Sequence, residues 1–303
     1  MKIVLSVLAF LLSVVQVGSG KEYKLYYLGG QSNMDGMGYV SEIPESLNAP
    51  VTGVMIFHGN MAKDDTLVDG RGIWSDLRPG HGRGFESDGV ANTYSDRFGV
   101  ELTFGRRLRE LDPGANIALI KYSRGGTSIA SEAARKFGCW DPDYSDSTGI
   151  NQYDHFLATV RNALSVSDID GDGGADRLIP SGIIWMQGES DAYFSREVAG
   201  RYETNLKKLM DVMRAAFRLD DLPVVIGRIS DSGQDEDGKV WDYSDIVRMA
   251  QLSFVLKDVC AALVTSTDEY GFSDKYHYDS AGYIDLGKKF AEAVLELERR
   301  CGE

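Results

Sequence analysis

The sequence predicts an α/β fold with a mostly parallel sheet covered by helices on both faces. Three observations carry that reading. Apolar runs of strand length alternate with longer segments of helical periodicity, as successive β–α–β units require. Polar, glycine-containing turns follow the runs that end at Leu28, Tyr122 and Met186, and a fourth begins at Gly271. In an open parallel sheet, strand ends of this kind share one edge, where ligands bind. No internal repeat is evident, and one large domain suffices.

Taken in order, Met1-Lys2, the apolar run from Ile3 to Val15 and the small residues Gly18-Ser19-Gly20 read as a secretory leader over residues 1–20. The run is short for a membrane span, so residues 21–303 form the expected domain. No later apolar run is long enough to cross a bilayer, and the expected location is secreted, periplasmic or extracellular. Tyr23 to Leu28 fits a buried strand, and Gly29-Gly30 permits a sharp turn before Ser32. Val51 to Phe57 is a second strand. The Gly-, Asp- and Arg-rich stretch from His58 to Arg97 reads as loop, and loops of this length shape binding sites, which nominates Trp74, His81 and Phe85 as substrate contacts.

Phe98 to Leu111 has helical spacing, and Asn116 to Tyr122 returns to strand pattern before the turn Ser123-Arg124-Gly125-Gly126. A helix over Gln152 to Leu164 follows. Leu178 to Met186 is the next strand and runs into Gln187-Gly188-Glu189-Ser190-Asp191. Tyr202, Leu206, Leu209, Met213 and Phe217 mark one face of a helix. Pro223 to Ile229 and Ala261 to Thr265 are strands, Val240 to Leu256 is helical, and Ala281 to Arg300 closes the chain as an amphipathic helix.

The 46 acidic and 32 basic side chains give a charge of −14, and loss of Lys2 with the leader makes it −15. Phosphate binding needs a concentrated basic surface, so nucleic acid is excluded as a partner and a neutral or weakly charged substrate is favoured. Cys139, Cys260 and Cys301 have no metal-ligand spacing and cannot all pair within one chain; a Cys260 to Cys301 bridge is compatible with export, though spacing does not require it.

Ser32 alone is equally well a helix N-cap. It becomes a candidate nucleophile once a base is available, and His277 provides one, with Asp274 three residues earlier able to fix its tautomer and stabilise the imidazolium. The Ser32 and Gly99 N–H groups and the Gln187 amide are candidate oxyanion donors. Glu189 and Arg124 stand near strand ends and could brace the site as a pair or be plain surface charges. The α/β-hydrolase elbow needs glycine two residues either side of the serine; Gly30 satisfies this and Met34 does not, so that fold is disfavoured.

The stretches Gly29-Gly30-Gln31-Ser32-Asn33-Met34, Trp185-Met186-Gln187-Gly188-Glu189-Ser190-Asp191-Ala192 and Asp274-Lys275-Tyr276-His277-Tyr278-Asp279 together resemble blocks of the SGNH hydrolase superfamily. More narrowly, they are similar to the sialate O-acetylesterase domain and to carbohydrate esterase family six, which includes acetylxylan esterases. The resemblance implies a three-layer α/β/α flavodoxin-like fold with a mostly parallel five- or six-stranded sheet. It implies Ser32 as nucleophile, His277 as base, Asp274 as its orienter, and Gly99 and Gln187 in the oxyanion hole. Gln31, Asn33, Arg124, Gly126 and Glu189 are the expected substrate or supporting positions. This chain departs from the superfamily's Gly-x-Asn-Asp block, since Ser123-Arg124-Gly125-Gly126-Thr127 has no asparagine there.

The expected activity is removal of O-acetyl groups from acetylated carbohydrate through an acetyl-serine, with no cofactor for catalysis. A sialate O-acetylesterase and an inactive glycan-binding module on the same scaffold are the alternatives, and the complete Ser32, Asp274 and His277 set argues against the latter. Separately, Asp168, Asp170, Asp172 and Asp176 follow a calcium-loop spacing, but Ile179 stands where the bidentate glutamate belongs. That segment is either a structural calcium site or an acidic turn. The sequence assigns no oligomeric state.

Overall fold

The computed structural model describes residues 19–60, 68–146 and 149–301, so nearly all of the expected leader lies outside the described residues. Seven strands form the main sheet: β1 (Glu22–Gly30), β2 (Val54–His58), β3 (Trp74–Asp76), β4 (Asn116–Ser123), β5 (Arg177–Met186), β6 (Val224–Gly227) and β7 (Ala261–Val264). Their spatial order is β7-β6-β5-β1-β4-β2-β3, parallel throughout except for the β2–β3 pair. The five strands from β4 through β1 to β7 follow the flavodoxin-like order, in which the chain reverses direction across the sheet beside β1.

The sheet is therefore larger than the five or six strands expected. The additional edge strand β3 has only three residues inside the glycine-rich stretch, too few to show alternation. It forms because Trp74 lies edge-on to Phe57 of β2 and bonds through Nε1 to Ala163 O.

The helices are α1 (Ser32–Asp35), α2 (Glu101–Leu111), α3 (Gln152–Leu164), α4 (Glu189–Phe194), α5 (Arg196–Gly200), α6 (Tyr202–Phe217), α7 (Ser244–Lys257) and α8 (Ser280–Cys301). Two start later than their periodicity suggests. Arg97–Phe98 pair antiparallel with Gly38–Tyr39 instead of opening α2, and the Val240 and Trp241 N–H groups are held by the Asp231 carboxylate ahead of α7.

Adjacent strand residues point to opposite faces, and β1 uses both. Tyr26 packs edge-on against Phe104 of α2, while Tyr27 packs against Phe156 of α3. Helix α8 lies with α2 on the first face; Phe217 of α6 joins Phe156 on the second. With both faces covered, β1 is buried at Leu25, Tyr26, Tyr27 and Leu28, each contributing roughly 1.5–3 kcal/mol of burial. This fully enclosed strand delivers the chain to Ser32.

Cys260 and Cys301 are bridged, with Cα atoms 5.9 Å apart, tying the C-terminal end of α8 to the start of β7; Cys139 is free and buried. Among the described residues, no helix is long and apolar enough to cross a membrane.

Candidate active site

The site is built where β1, β4 and β5 end. Gly30 closes β1 at φ 144°, and a Cβ there would stand 2.0 Å from Met186 O, so only glycine lets the strands approach. Gln31 N–H donates to Met186 O at 2.9 Å, and the Met34 and Asp35 N–H groups both turn back to Gln31 O. This single turn, α1, presents Ser32. After β4, Arg124 N–H donates to Gly30 O at 3.2 Å, bringing Gly125 so close that a Cβ on it would lie 3.4 Å from Ser32 Cβ.

The fourth turn is closed by Ser273 N–H on His277 O and Asp279 N–H on Gly271 O. Inside it, Asp274 Oδ1 accepts from the Tyr276 and His277 N–H groups at 2.7 and 2.9 Å, and Oδ2 lies 2.8 Å from His277 Nδ1. Burial works against ionisation of Asp274, but its bonds to His277 and the Tyr276 N–H outweigh that and hold the carboxyl below its usual range. An ionised Asp274 facing Nδ1 assigns the proton there and leaves Nε2 as the basic nitrogen.

Asn33 joins this turn to the serine. Its Nδ2 donates to Glu189 Oε1 at 2.8 Å and to Tyr276 O at 3.3 Å, while its Oδ1 accepts from Tyr283 OH at 2.7 Å and Tyr278 N–H at 3.4 Å. Glu189 thus pairs with Asn33, which is neither of the two readings the sequence left open, a pair with Arg124 or a plain surface charge, because Glu189 opens the buried helix α4 beneath the site. Its other oxygen, Oε2, has no partner among the described residues.

Of the three expected oxyanion donors, Gly99 and Gln187 already carry hydrogen bonds within the chain. Gly99 N–H donates to Glu101 Oε1 at 2.9 Å, and Glu101 is in turn paired with the buried Lys121. Gln187 is fully buried, its Nε2 held by Asp191 Oδ2 at 2.7 Å with longer contacts to Thr127 O and Gln31 Oε1. Neither residue is among those lining the cleft. Sequence order cannot reveal that a donor is already taken by a neighbour's carboxylate.

Ser32 and His277 both line one cleft of about 960 Å³, together with Gln31, Arg124 and Gly126. Phe85 lines it as expected, but Trp74 and His81 do not; Trp74 sits in β3, and His81 is fully buried in a stack with Phe85 and His58. Sequence reasoning missed Asp35 and the aromatic wall of Tyr193, Trp241 and Tyr276, whose rings lie 6.3 and 5.4 Å apart in sequence order. The wall comes from three segments that no local pattern connects.

Away from the cleft, oxygen atoms of Asp168, Asp170 and Asp176 lie within 4.8 Å of one another. Lys21 Nζ meets Asp170 and stands 2.8 Å from Asp172, supplying positive charge to the loop from within the chain.

Burial pushes three carboxyls up: Asp35 to about 6, Glu189 to about 7 and Asp191 to about 6. Raised acids bind more protons in the fold than in the unfolded chain, where they titrate near 4. The stability they contribute is fully present below about pH 4 and is lost as pH rises through about 6–7. Burial also holds His58, His81 and His155 neutral, which adds stability over the same rise in pH, so the acids are read by difference: the midpoint of Glu189→Gln should gain on that of wild type from pH 5 to pH 8. A midpoint difference between Glu189→Gln and wild type that stays constant from pH 5 to 8 contradicts this assignment.

Comparison with curated proteins gave no significant match. Among solved structures, a protein of Arabidopsis thaliana aligns with TM-score 0.62 at 20% identity, covering 92% of this chain and 99% of that one. NanS aligns with TM-score 0.60 at 16% identity over 93% and 99% of the two chains. A carbohydrate acetylesterase from Xanthomonas citri aligns with TM-score 0.60 at 16% identity, covering 92% of this chain but 57% of its own. At these identities the likenesses establish the fold. Residues 22–296 match the family model described as carbohydrate esterase, sialic acid-specific acetylesterase, so the chain belongs to that family of carbohydrate esterases.

Proposed function

We propose that this carbohydrate esterase is an exported serine O-acetylesterase that works through an acetyl-enzyme. The observation that carries the reading is the Asp274 carboxylate 2.8 Å from His277 Nδ1, with His277 and Ser32 facing one cleft. His277 Nε2 takes the Ser32 proton as Oγ attacks the acetyl carbonyl, and returns it to the departing sugar oxygen. Water, deprotonated by the same nitrogen, then releases acetate and regenerates Ser32. For the developing oxyanion, the Ser32 N–H is the donor kept from the sequence reading, and Gly125, whose backbone lies against Ser32, is close enough to add a second.

The substrate is an acetylated carbohydrate. Arg83, Arg124, Arg135 and Lys275 line the cleft against Asp35, Glu86 and Asp235, a near balance that suits a neutral or singly anionic sugar. The wall of Tyr193, Trp241 and Tyr276 offers rings for a sugar face. Acetate release should be measured from acetylated xylan, O-acetylated sialic acid, acetylated monosaccharides and 4-nitrophenyl acetate. Turnover of at least one sugar ester is expected. Sugar binding without acetate release from any of the four would replace the enzyme by the glycan-binding alternative.

A further inference from the structure

One cleft carboxylate has no part in that chemistry. Asp35 stands three residues after Ser32 in the same helical turn, so the two share a face; both line the cleft, and Asp35 is only 2% exposed. Its backbone oxygen accepts from Lys121 Nζ at 2.8 Å, which anchors the turn. Its side-chain Oδ1 has no hydrogen-bond partner among the described residues. The cations Lys121 and Arg83 act on the carboxyl, yet burial outweighs them and raises it to about 6.

A buried carboxylate lacking donors destabilises a fold, so the turn carries Asp35 at a cost. The other buried acids differ. Both Asp191 oxygens receive donors from the Ile129 and Ala130 N–H groups and Gln187, and Glu189 is not a cleft residue. Glu101 is paired with Lys121, so among the described buried acids Asp35 is the one that combines an unmet acceptor with a place beside Ser32. Because Oδ1 is itself closed to solvent, a donor that satisfies the carboxylate approaches from the face of Asp35 that lines the cleft, where a ligand sits. The acetyl group has none to offer, whereas a sugar ring carries hydroxyl groups next to the esterified one.

We propose that Asp35 accepts a hydrogen bond from a free sugar hydroxyl flanking the acetylated position, and so is a specificity-determining residue that separates acetylated sugars from simple acetates. The proposal rests on the esterase reading above. A pocket that pairs with a substrate hydroxyl discriminates strongly against analogues lacking it, because its own polar group is then left unmatched.

The test compares kcat/KM on a mono-O-acetylated methyl glycoside with free neighbouring hydroxyls and on 4-nitrophenyl acetate, for wild type, Asp35→Asn and Asp35→Ala. The sugar-to-aryl ratio should fall about ten- to hundredfold in Asp35→Ala, and less in Asp35→Asn, which keeps an acceptor oxygen. The thermal midpoint of Asp35→Asn at pH 8 should equal or exceed that of wild type, because a buried unpaired charge is removed. A ratio unchanged within about twofold overturns the proposal while leaving the esterase intact. So does a lowered midpoint with both substrates slowed in proportion, the signature of a merely structural residue. Failure of the wild type to release acetate from either compound, and from acetylated xylan and O-acetylated sialic acid as well, overturns both readings.

Discussion

Ser32→Ala is expected to lower kcat on 4-nitrophenyl acetate by about 10⁴-fold or more, with the folded structure kept. The change deletes one oxygen at the head of α1 and replaces serine with a better helix former, so packing has little to lose. The chemistry loses its attacking atom. His277→Ala should cause a loss of similar size, because an unassisted serine hydroxyl hardly ionises at neutral pH. Combining the two should cost little beyond either alone, since the residues act as one unit and the remaining rate comes from binding and oxyanion donors. Steady-state kinetics with circular dichroism on all three variants checks this. Wild-type turnover by Ser32→Ala would remove the nucleophile from the scheme.

Asn33→Ala should be the most damaging change outside the reacting atoms. Asn33 is buried, and its amide makes four hydrogen bonds that connect the Ser32 turn, the start of α4 and the loop that carries His277. Alanine would leave Glu189 without its side-chain donor in a site where Oε2 already lacks a partner. Stranding buried polar groups in this way costs about 2–4 kcal/mol. Releasing the loop should also reduce kcat by about ten- to hundredfold, because small displacements of a catalytic base are felt directly in the rate.

The reversed pair gives a sharper test. Asn33→Asp alone sets two carboxyls face to face, which raises the pKa of the pair and makes the variant least stable at alkaline pH. Adding Glu189→Gln restores one amide and one carboxylate with the donor on the opposite side, and should recover part of the loss. Denaturant unfolding of the four proteins measures the coupling. Asn33→Ala destabilised by less than about 0.5 kcal/mol would show that the clip carries no weight.

Much of the fold was legible because its determinants are local. The helix over Gln152–Leu164 ends where its apolar spacing ends, and the expected runs near Tyr23, Asn116 and Leu178 all became central strands. Burial on both sheet faces demands continuous apolar residues, and such runs are readable one residue at a time. The loop Asp274 to His277 was legible for the same reason, since a carboxylate bonding N–H groups two and three residues on needs no distant partner.

Where the reading went astray, the deciding contact was one that side-chain direction in the folded chain makes, whether the partner is near or far in sequence. Gly99 looks like a free donor until Glu101 turns back on its N–H, and Gln187 until Asp191 engages its amide. Trp74 and His81 stand in a glycine-rich stretch that reads as loop, yet β2 recruits one as an edge strand and Phe85 stacks on the other. Asp35 was passed over because its significance lies in a missing partner, which no sequence displays.

By itself, then, the sequence determined the alternating architecture, the four polar turns at one edge and the residue types that a serine esterase requires, since periodicity and turn chemistry act over a few neighbouring residues. Tertiary structure alone decided which donors are free, which carboxylates are buried and which aromatic rings wall the cleft. Those properties depend on whether a polar atom finds a partner or loses water, and both are settled by the packing around it in the folded chain.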